Sequence, residues 1–538
     1  MVRLYVYIYR KRSVRKHGAR QSRDTEKQLS VYIFFGFLAH GYAFLNFQPS
    51  HDSLTEMISN PANWNWKIQL GRYLKPVYDM VFGYFTSFPW IDGIAALAWL
   101  SLAAYLAAEM LHLSKKTHIA LVCGILTTNY TVIALTATYA QDLASNMLAL
   151  TLAMLGVYIW QQYTDRIEGL TKRTVVGYEI VIGCCLAASM ALYQTFLFVY
   201  ITMVLLLSIL KCLEEPKLSF KKLWTADFLA AGSAGIGAIL YYRGLKLSAR
   251  LTGISLIENN YNSVSNAWTN TEPILSRVKD CLWQFIVAFG AASGYTHPHL
   301  VSWLVNMALC LLGVICFFGL VADVRRKKAS IGTIISAVVF SLLLPFAMDG
   351  ARLLNSSVHV LMIYVCWLSY VFIYVVAIRF AAVAERKWAK HLERLTAVLL
   401  CCLIFLNIQS ANAFYVKKTT EQEATLSVMT RIVDKVEDLE GYEPGITPVA
   451  FIGTPAEYLQ TNEAFAELSR LVGMNDASAI TYEGTYKSYI AVMMKVRINL
   501  VKESAARETL GVDFIGAMPA FPAKGSIQME KGIVVVKF

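Results

Sequence analysis

The sequence predicts a polytopic α-helical membrane protein of about eleven transmembrane helices with a small α/β domain at its C-terminus. Three observations carry this. The 538 residues are 56% hydrophobic and 16% charged, with a mean hydropathy of +0.47, whereas a soluble chain carries about a quarter charged residues. Apolar runs of about 18 residues or more, enough to cross a hydrocarbon core, recur through roughly the first four hundred positions. Beyond them the pattern changes to alternating helix-like and strand-like segments.

The spans fall near 30–48, 91–113, 118–137, 143–161, 174–192, 195–211, 225–242, 300–322, 331–348, 357–378 and 395–414. They divide the chain into a basic arm (1–28), a membrane domain (29–414) and a C-terminal domain (415–538). The stretch from Val175 to Leu210 is about twice the length one span needs, so a tight turn at 191–195 splits it in two.

The net charge of +12 does not indicate a nucleic-acid partner, because the cations sit in short loops between apolar runs. Arg10 to Lys16, Lys115 and Lys116, Arg166 to Arg173, Lys211 to Lys222, Arg325 to Lys328 and Arg386 to Arg394 all fall on one side if the N-terminus is cytoplasmic. That arrangement predicts an extracytoplasmic C-terminal domain. Ten cysteines lie mostly in apolar runs and none follows Cys402. The tail therefore has no disulfide framework, and no metal-ligand spacing appears.

The tail reads as a helix over 423–439 and strands at 448–453 and 532–538, each strand adjoining a glycine. Two other segments on the same side are too long for connectors. Residues 47–89 interleave Trp64, Trp66, Tyr73 and Tyr78 with Lys67, Arg72 and Lys75, which suits a helix lying in the interface over 67–78. Residues 241–299 contain an amphipathic stretch at 274–291.

Acidic residues are scarce at that membrane face. Asp52 follows the first span and Asp142 opens the fourth. Two carboxylates on one side can share a cleft open to bilayer and water, and a carboxylate near that depth is costly unless paired or functional. Asp142 also suits a helix N-terminus electrostatically, and Asp52 suits an ordinary turn, so Asp52 is the stronger catalytic candidate. Cations on this side run against the positive-inside bias. Arg72 and Lys75 lie one turn apart if the segment is helical, Arg243 and Lys246 have the same spacing, and Arg352 follows Asp349 in a short loop. These residue types grip phosphate. Snorkelling toward headgroups is the structural alternative, and an Asp349–Arg352 pair would make that site purely structural.

Weaker signals remain. His297 and His299 lack a carboxylate or cysteine partner nearby for a metal. Asn129-Tyr130-Thr131 and Asn355-Ser356-Ser357 fit a glycosylation pattern that is common by chance. No nucleotide-binding fingerprint is present, and no cofactor or metal is expected.

An early acidic residue in the first external loop followed by interfacial helices resembles the GT-C glycosyltransferases. More closely, the chain resembles the bacterial glucosyltransferase II (Gtr type II) family. The resemblance is carried by His51-Asp52-Ser53-Leu54, by Leu70-Gly71-Arg72-Tyr73-Leu74 and by Leu192-Tyr193-Gln194. The tail adds Met518 to Ile527 and Ile533 to Lys537. It implies a GT-C-like fold in a bacterial cell membrane. It also implies transfer of glucose from a polyprenyl-phosphate donor to a surface glycan or its lipid-linked precursor. Asp52, assisted by Asp142, would be catalytic. His51, Arg72, Lys75, Tyr193, Gln194, Arg243 and Arg352 would bind substrate. A flippase of lipid-linked sugars would also need external cations, but no inverted repeat is evident. A polysaccharide polymerase or ligase would use external arginines, and the early Asp52 favours the glycosyltransferase over it.

Overall fold

The computed structural model describes residues 33–58, 60–82, 89–215, 219–256, 272–290, 300–327, 329–355, 358–384, 386–460 and 478–538. Most of these residues are helical. The first helices are α1 (Ile33–Leu45), α2 (His51–Ile58), α3 (Asn60–Gln69), α4 (Lys75–Phe82) and α5 (Pro89–Met110). Next come α6 (Lys116–Thr128), α7 (Tyr130–Thr138), α8 (Ala140–Thr164), α9 (Lys172–Leu192), α10 (Leu197–Glu214) and α11 (Phe220–Thr252). The membrane part ends with α12 (Ile274–Gly290), α13 (Leu300–Arg326), α14 (Ile331–Met348), α15 (Gly350–Leu354), α16 (Leu368–Ala384) and α17 (Lys387–Glu437).

Among the described residues, ten helices are long and apolar enough to cross a membrane, and they match the expected spans from 91–113 onward. The described part of the first span, α1, is shorter. In a bilayer every backbone N–H and C=O must be satisfied internally, which is why these runs become helices. Their ends are set by local chemistry. Thr171, Ser219 and Ser330 cap α9, α11 and α14 through their side chains, and Gly253 ends α11 at φ +69°. Small residues let helices approach: a Cβ on Gly183 would lie 2.5 Å from Ile236, and one on Gly237 would lie 2.8 Å from Leu186.

Two spans depart from single regular helices. The third breaks at Asn129, which is fully buried and caps α7 by accepting from the Val132 amide. That role leaves no accessible amide for a glycan. The expected span 357–378 starts late, because residues 360–362 and 364–367 form tight 3₁₀ turns before α16. Residues 191–195 do separate two spans: Tyr193 is extended and begins a 3₁₀ turn. Ser356, Ser357, His297 and His299 lie outside the described residues.

The basic loops meet at one end of the bundle. Lys211 pairs with Asp165 at 2.8 Å, Lys222 with Glu168 at 3.2 Å, Arg379 with Glu214 at 2.8 Å and His118 with Glu393 at 3.1 Å. A cavity of about 310 Å3 there is lined by Lys211, Asp165, Glu214 and Arg379, all already committed to these pairs.

At the other end, α17 does not stop at the membrane. Its 51 residues reach about 75 Å against a hydrocarbon core of about 30 Å. The expected tail helix at 423–439 is therefore the continuation of the last span. The tail sheet contains β1 (Pro448–Ile452), β2 (Asn499–Leu500), β3 (Ile527–Glu530) and β4 (Ile533–Lys537) in the order β2-β1-β4-β3. β1 is parallel to both neighbours, and β3 and β4 form a hairpin turning at Lys531 and Gly532, both with positive φ. One sheet face packs Val449, Phe451, Val534 and Val536 against Met429 and Ile432 of α17. The other covers Ala450 and Val535 with Ala506, Leu510 and Ile515.

Candidate active site

The site is assembled by three short helices and a domain remote in sequence. Ser50 caps α2, accepting from the Ser53 amide at 3.2 Å while its hydroxyl donates to the Thr138 carbonyl at 2.5 Å. Ser53 donates to Gln141 at 2.7 Å. These bonds fix α2 against the junction of α7 and α8, so Asp52 and Asp142, each in the first turn of its helix, face one space. On the opposite side of α2, Leu54 is fully buried in the core of the C-terminal domain.

The expected helix over 67–78 is interrupted, which corrects the reading of Arg72 and Lys75 as neighbours on one helical face. Gly71, at φ +80°, terminates α3. Its amide donates to the Ile68 carbonyl and the Arg72 amide to the Lys67 carbonyl, the bonding of a Schellman motif. This turn folds Arg72 back beside Lys67. Lys67 Nζ lies 2.5 Å from Asp142 Oδ2, and Arg72 lies 3.7 Å from the same oxygen. Lys75, at the start of α4, binds Asp79 and reaches within 3.4 Å of Asp142 Oδ1. The Arg72 guanidinium also stacks 4.5 Å over the Tyr193 ring. Gln194 donates to the Leu70 carbonyl at 2.6 Å and to the Tyr241 hydroxyl at 3.1 Å, bracing the Schellman turn from behind.

Part of this cluster borders a cavity of about 600 Å3. Its lining includes Asp52, Glu56, Trp66, Lys67, Arg72, Asp142, Tyr193, His359 and Tyr482. The two acids differ. The Asp142 side chain is 3% exposed and surrounded by three cations, whereas the Asp52 side chain is 39% exposed with His51 Nε2 at 3.6 Å. Burial pulls the Lys75 ammonium down, but the carboxylates of Asp142, Asp79 and Glu56 outweigh it and hold the group above its ordinary range. Burial pushes Glu56 up, and the Lys67 charge only partly opposes this. Arg72 Nε and Asp142 Oδ1 are buried and make no hydrogen bond among the described residues. Asp142 Oδ1 is met instead by the Lys75 ammonium at 3.4 Å.

Not every expected residue converges here. Arg243 lies on an exposed face of α11, and Lys246 sits over the Tyr242 ring. Arg352 Nε is 3.4 Å from Asp349, a local pair away from the lining. His51, Lys75 and Gln194 are not among the lining residues. The sequence reading missed Lys67 and Glu56 as site residues. Glu56 follows Asp52 by four, a helical same-face spacing, but residues 49–54 read as a loop. Lys67 and Arg72 are five apart, a spacing off the helical same-face pattern, and they meet here across the Schellman turn. Among the described residues, no group of three or more His, Cys, Asp or Glu is placed to hold a metal ion.

The fold and site define a multi-pass helical membrane protein with a charged cavity at one end of its bundle and a small domain against that cavity. The family described as "Glucosyl transferase GtrII" matches residues 41–366, more than half of the chain, and the protein belongs to that family. The match takes in α2, the Schellman turn and α8, and ends before α17 and the C-terminal domain. Membership makes it a glycosyltransferase acting with a sugar donor and a glycan acceptor at a membrane. No curated protein matches the chain.

Proposed function

We propose that the protein transfers glucose from a polyprenyl-phosphate donor to a surface polysaccharide or its lipid-linked precursor, using a GT-C-type inverting displacement. The basic loops would be cytoplasmic and the cavity and C-terminal domain extracytoplasmic. Asp52 would accept the proton of the acceptor hydroxyl as that oxygen attacks the anomeric carbon. The carbon–phosphate oxygen bond breaks as the new bond forms, and the departing phosphate takes the electron pair. Lys67 and Arg72 would stabilise that charge. Asp142 then has a positioning role: it holds both cations at the cavity. A polyprenyl-phosphate sugar is a phosphodiester of single negative charge. Three cations converge on Asp142, and two of them, Lys67 and Arg72, also line the cavity, where they would meet such a phosphate.

The observation that supports this most is the pairing, in one cavity, of a solvent-reaching carboxylate with cations organised by a buried one. The test is to incubate purified protein with labelled polyprenyl-phosphate glucose and candidate glycan acceptors. Labelled product is expected. A protein that moves the lipid-linked sugar across a membrane without transferring it would be a flippase instead.

A further inference from the structure

One wall of the cavity comes from outside the membrane domain. Tyr482 belongs to the C-terminal domain, yet it lines the same space as Asp52, Trp66 and Tyr139. It is 54% exposed, so it is not a core residue of its own domain. The loop holding it is built rather than loose. The Thr485 hydroxyl donates to the Tyr482 carbonyl at 2.7 Å and accepts from the Thr481 amide at 3.2 Å. Gly484 lies under the ring, where a Cβ would come 2.6 Å from Tyr482 Cε2. The ring meets His51 edge-on at 5.9 Å, and His51 lies 3.6 Å from Asp52. An exposed aromatic face is thus fixed one residue away from the candidate base.

That combination has a chemical meaning. The C–H groups on one face of a pyranose are weakly positive and the face of an aromatic ring is negative, so the two stack while the sugar hydroxyls stay free at the edge. The cations that suit the donor phosphate gather at Lys67 and Arg72, leaving the Tyr482 side for an uncharged partner.

We propose that Tyr482 forms the acceptor subsite, a stacking platform for the sugar ring whose hydroxyl is presented to Asp52. This deepens the glucosyl-transfer reading and rests on it. In this arrangement the C-terminal domain, outside the family match, selects the acceptor, while the membrane domain holds the donor.

The test uses the full-length protein in lipid nanodiscs and two readouts. Saturation-transfer NMR with the methyl glycosides of glucose, galactose, mannose and rhamnose reports sugar binding without turnover. Wild-type protein is expected to saturate the protons of one ring face. Tyr482→Phe and Tyr482→Trp should retain the signal, and Tyr482→Ala should reduce it at least tenfold. In the transfer assay Tyr482→Ala should raise the acceptor KM about tenfold or more with the donor KM unchanged. No saturation in wild-type protein, equal saturation in Tyr482→Ala, or a matching rise in donor KM would overturn the subsite. A wild-type protein that binds glycosides through Tyr482 but transfers no glucose would instead overturn the glucosyl-transfer reading.

Discussion

Both ends of the helix bundle collect charge, and they do so differently. At the basic-loop end the pairs are separate and partly exposed: Lys211 with Asp165, Lys222 with Glu168, Arg379 with Glu214. At the cavity end Lys67, Arg72 and Lys75 converge on one carboxylate that is almost wholly buried. Dispersed, exposed pairs contribute little to stability and suit a topology signal. A buried cluster carries a desolvation cost of several kcal/mol per ion unless geometry offsets it, so its presence calls for a purpose beyond topology. The same side also shows two uses of a carboxylate, one clamped and one left reaching for solvent.

The largest expected effect falls on the unclamped one. Asp52→Asn keeps size and polarity but removes the proton acceptor, and should lower the transfer rate by about 10²–10⁴-fold with donor affinity largely unchanged. Initial rates and donor binding on matched folded preparations check this. Near wild-type turnover would remove Asp52 as the base and erase the contrast between the two acids. Asp142→Asn should act differently: it leaves three cations without their shared partner, destabilising the protein by about 3–5 kcal/mol and weakening donor binding together with turnover. A variant that lost only kcat at full stability would make Asp142 a direct participant.

A smaller effect separates the clamped network from its edge. Burial raises the Glu56 pKa above its ordinary 4.5, so the folded state holds that proton more tightly than the unfolded chain does. The associated stability is fully present below about pH 4.5 and is lost as pH rises through the folded-state value. Glu56→Gln fixes the neutral form and should gain on wild type by about 2 °C in Tm as pH rises through that window, with no gain below it. A difference that does not change with pH would mean that burial does not raise the Glu56 pKa.

Much of this was legible from sequence, for identifiable reasons. Apolar runs in a bilayer have one solution, so the spans and the alternation of basic loops could be read directly. The tail strands were visible because Gly453 and Gly532 punctuate them, both at positive φ. The acids were visible because they are rare. The cation cluster was not, because Lys67 and Arg72 meet only through the backbone reversal at Gly71. Continuous helical periodicity over 67–78 concealed that reversal, although the glycine was the available signal. Tyr482 was beyond reach altogether: it arrives from a domain that packs on α2 through Leu54, a long-range contact that no local pattern encodes. The Asn129 break was hidden because an apolar run gives no hint that a buried amide will restart the helix.

The smallest expected effect tests the opposite end. Asp165 follows the C-terminus of α8, where a negative charge opposes the helix dipole, and its side chain is 45% exposed beside Lys211. Lys211 sits in the last turn of α10, where the dipole favours it, and lies 5.6 Å from the Trp160 ring centroid. Asp165→Asn therefore removes an exposed ion pair worth less than about 1 kcal/mol and relieves an unfavourable dipole contact of comparable size. The two should nearly cancel, with Tm shifted by no more than about 2 °C and transfer kinetics unchanged. Orientation should also persist, because the remaining basic loops still mark the same side. A reporter fused after Phe538 should be active only outside the cytoplasm, in the wild type and in this variant alike. If Asp165→Asn instead lowered transfer as strongly as Asp142→Asn, charge at the basic-loop end would be coupled to the chemistry, and the division between a topological end and a catalytic end would fail.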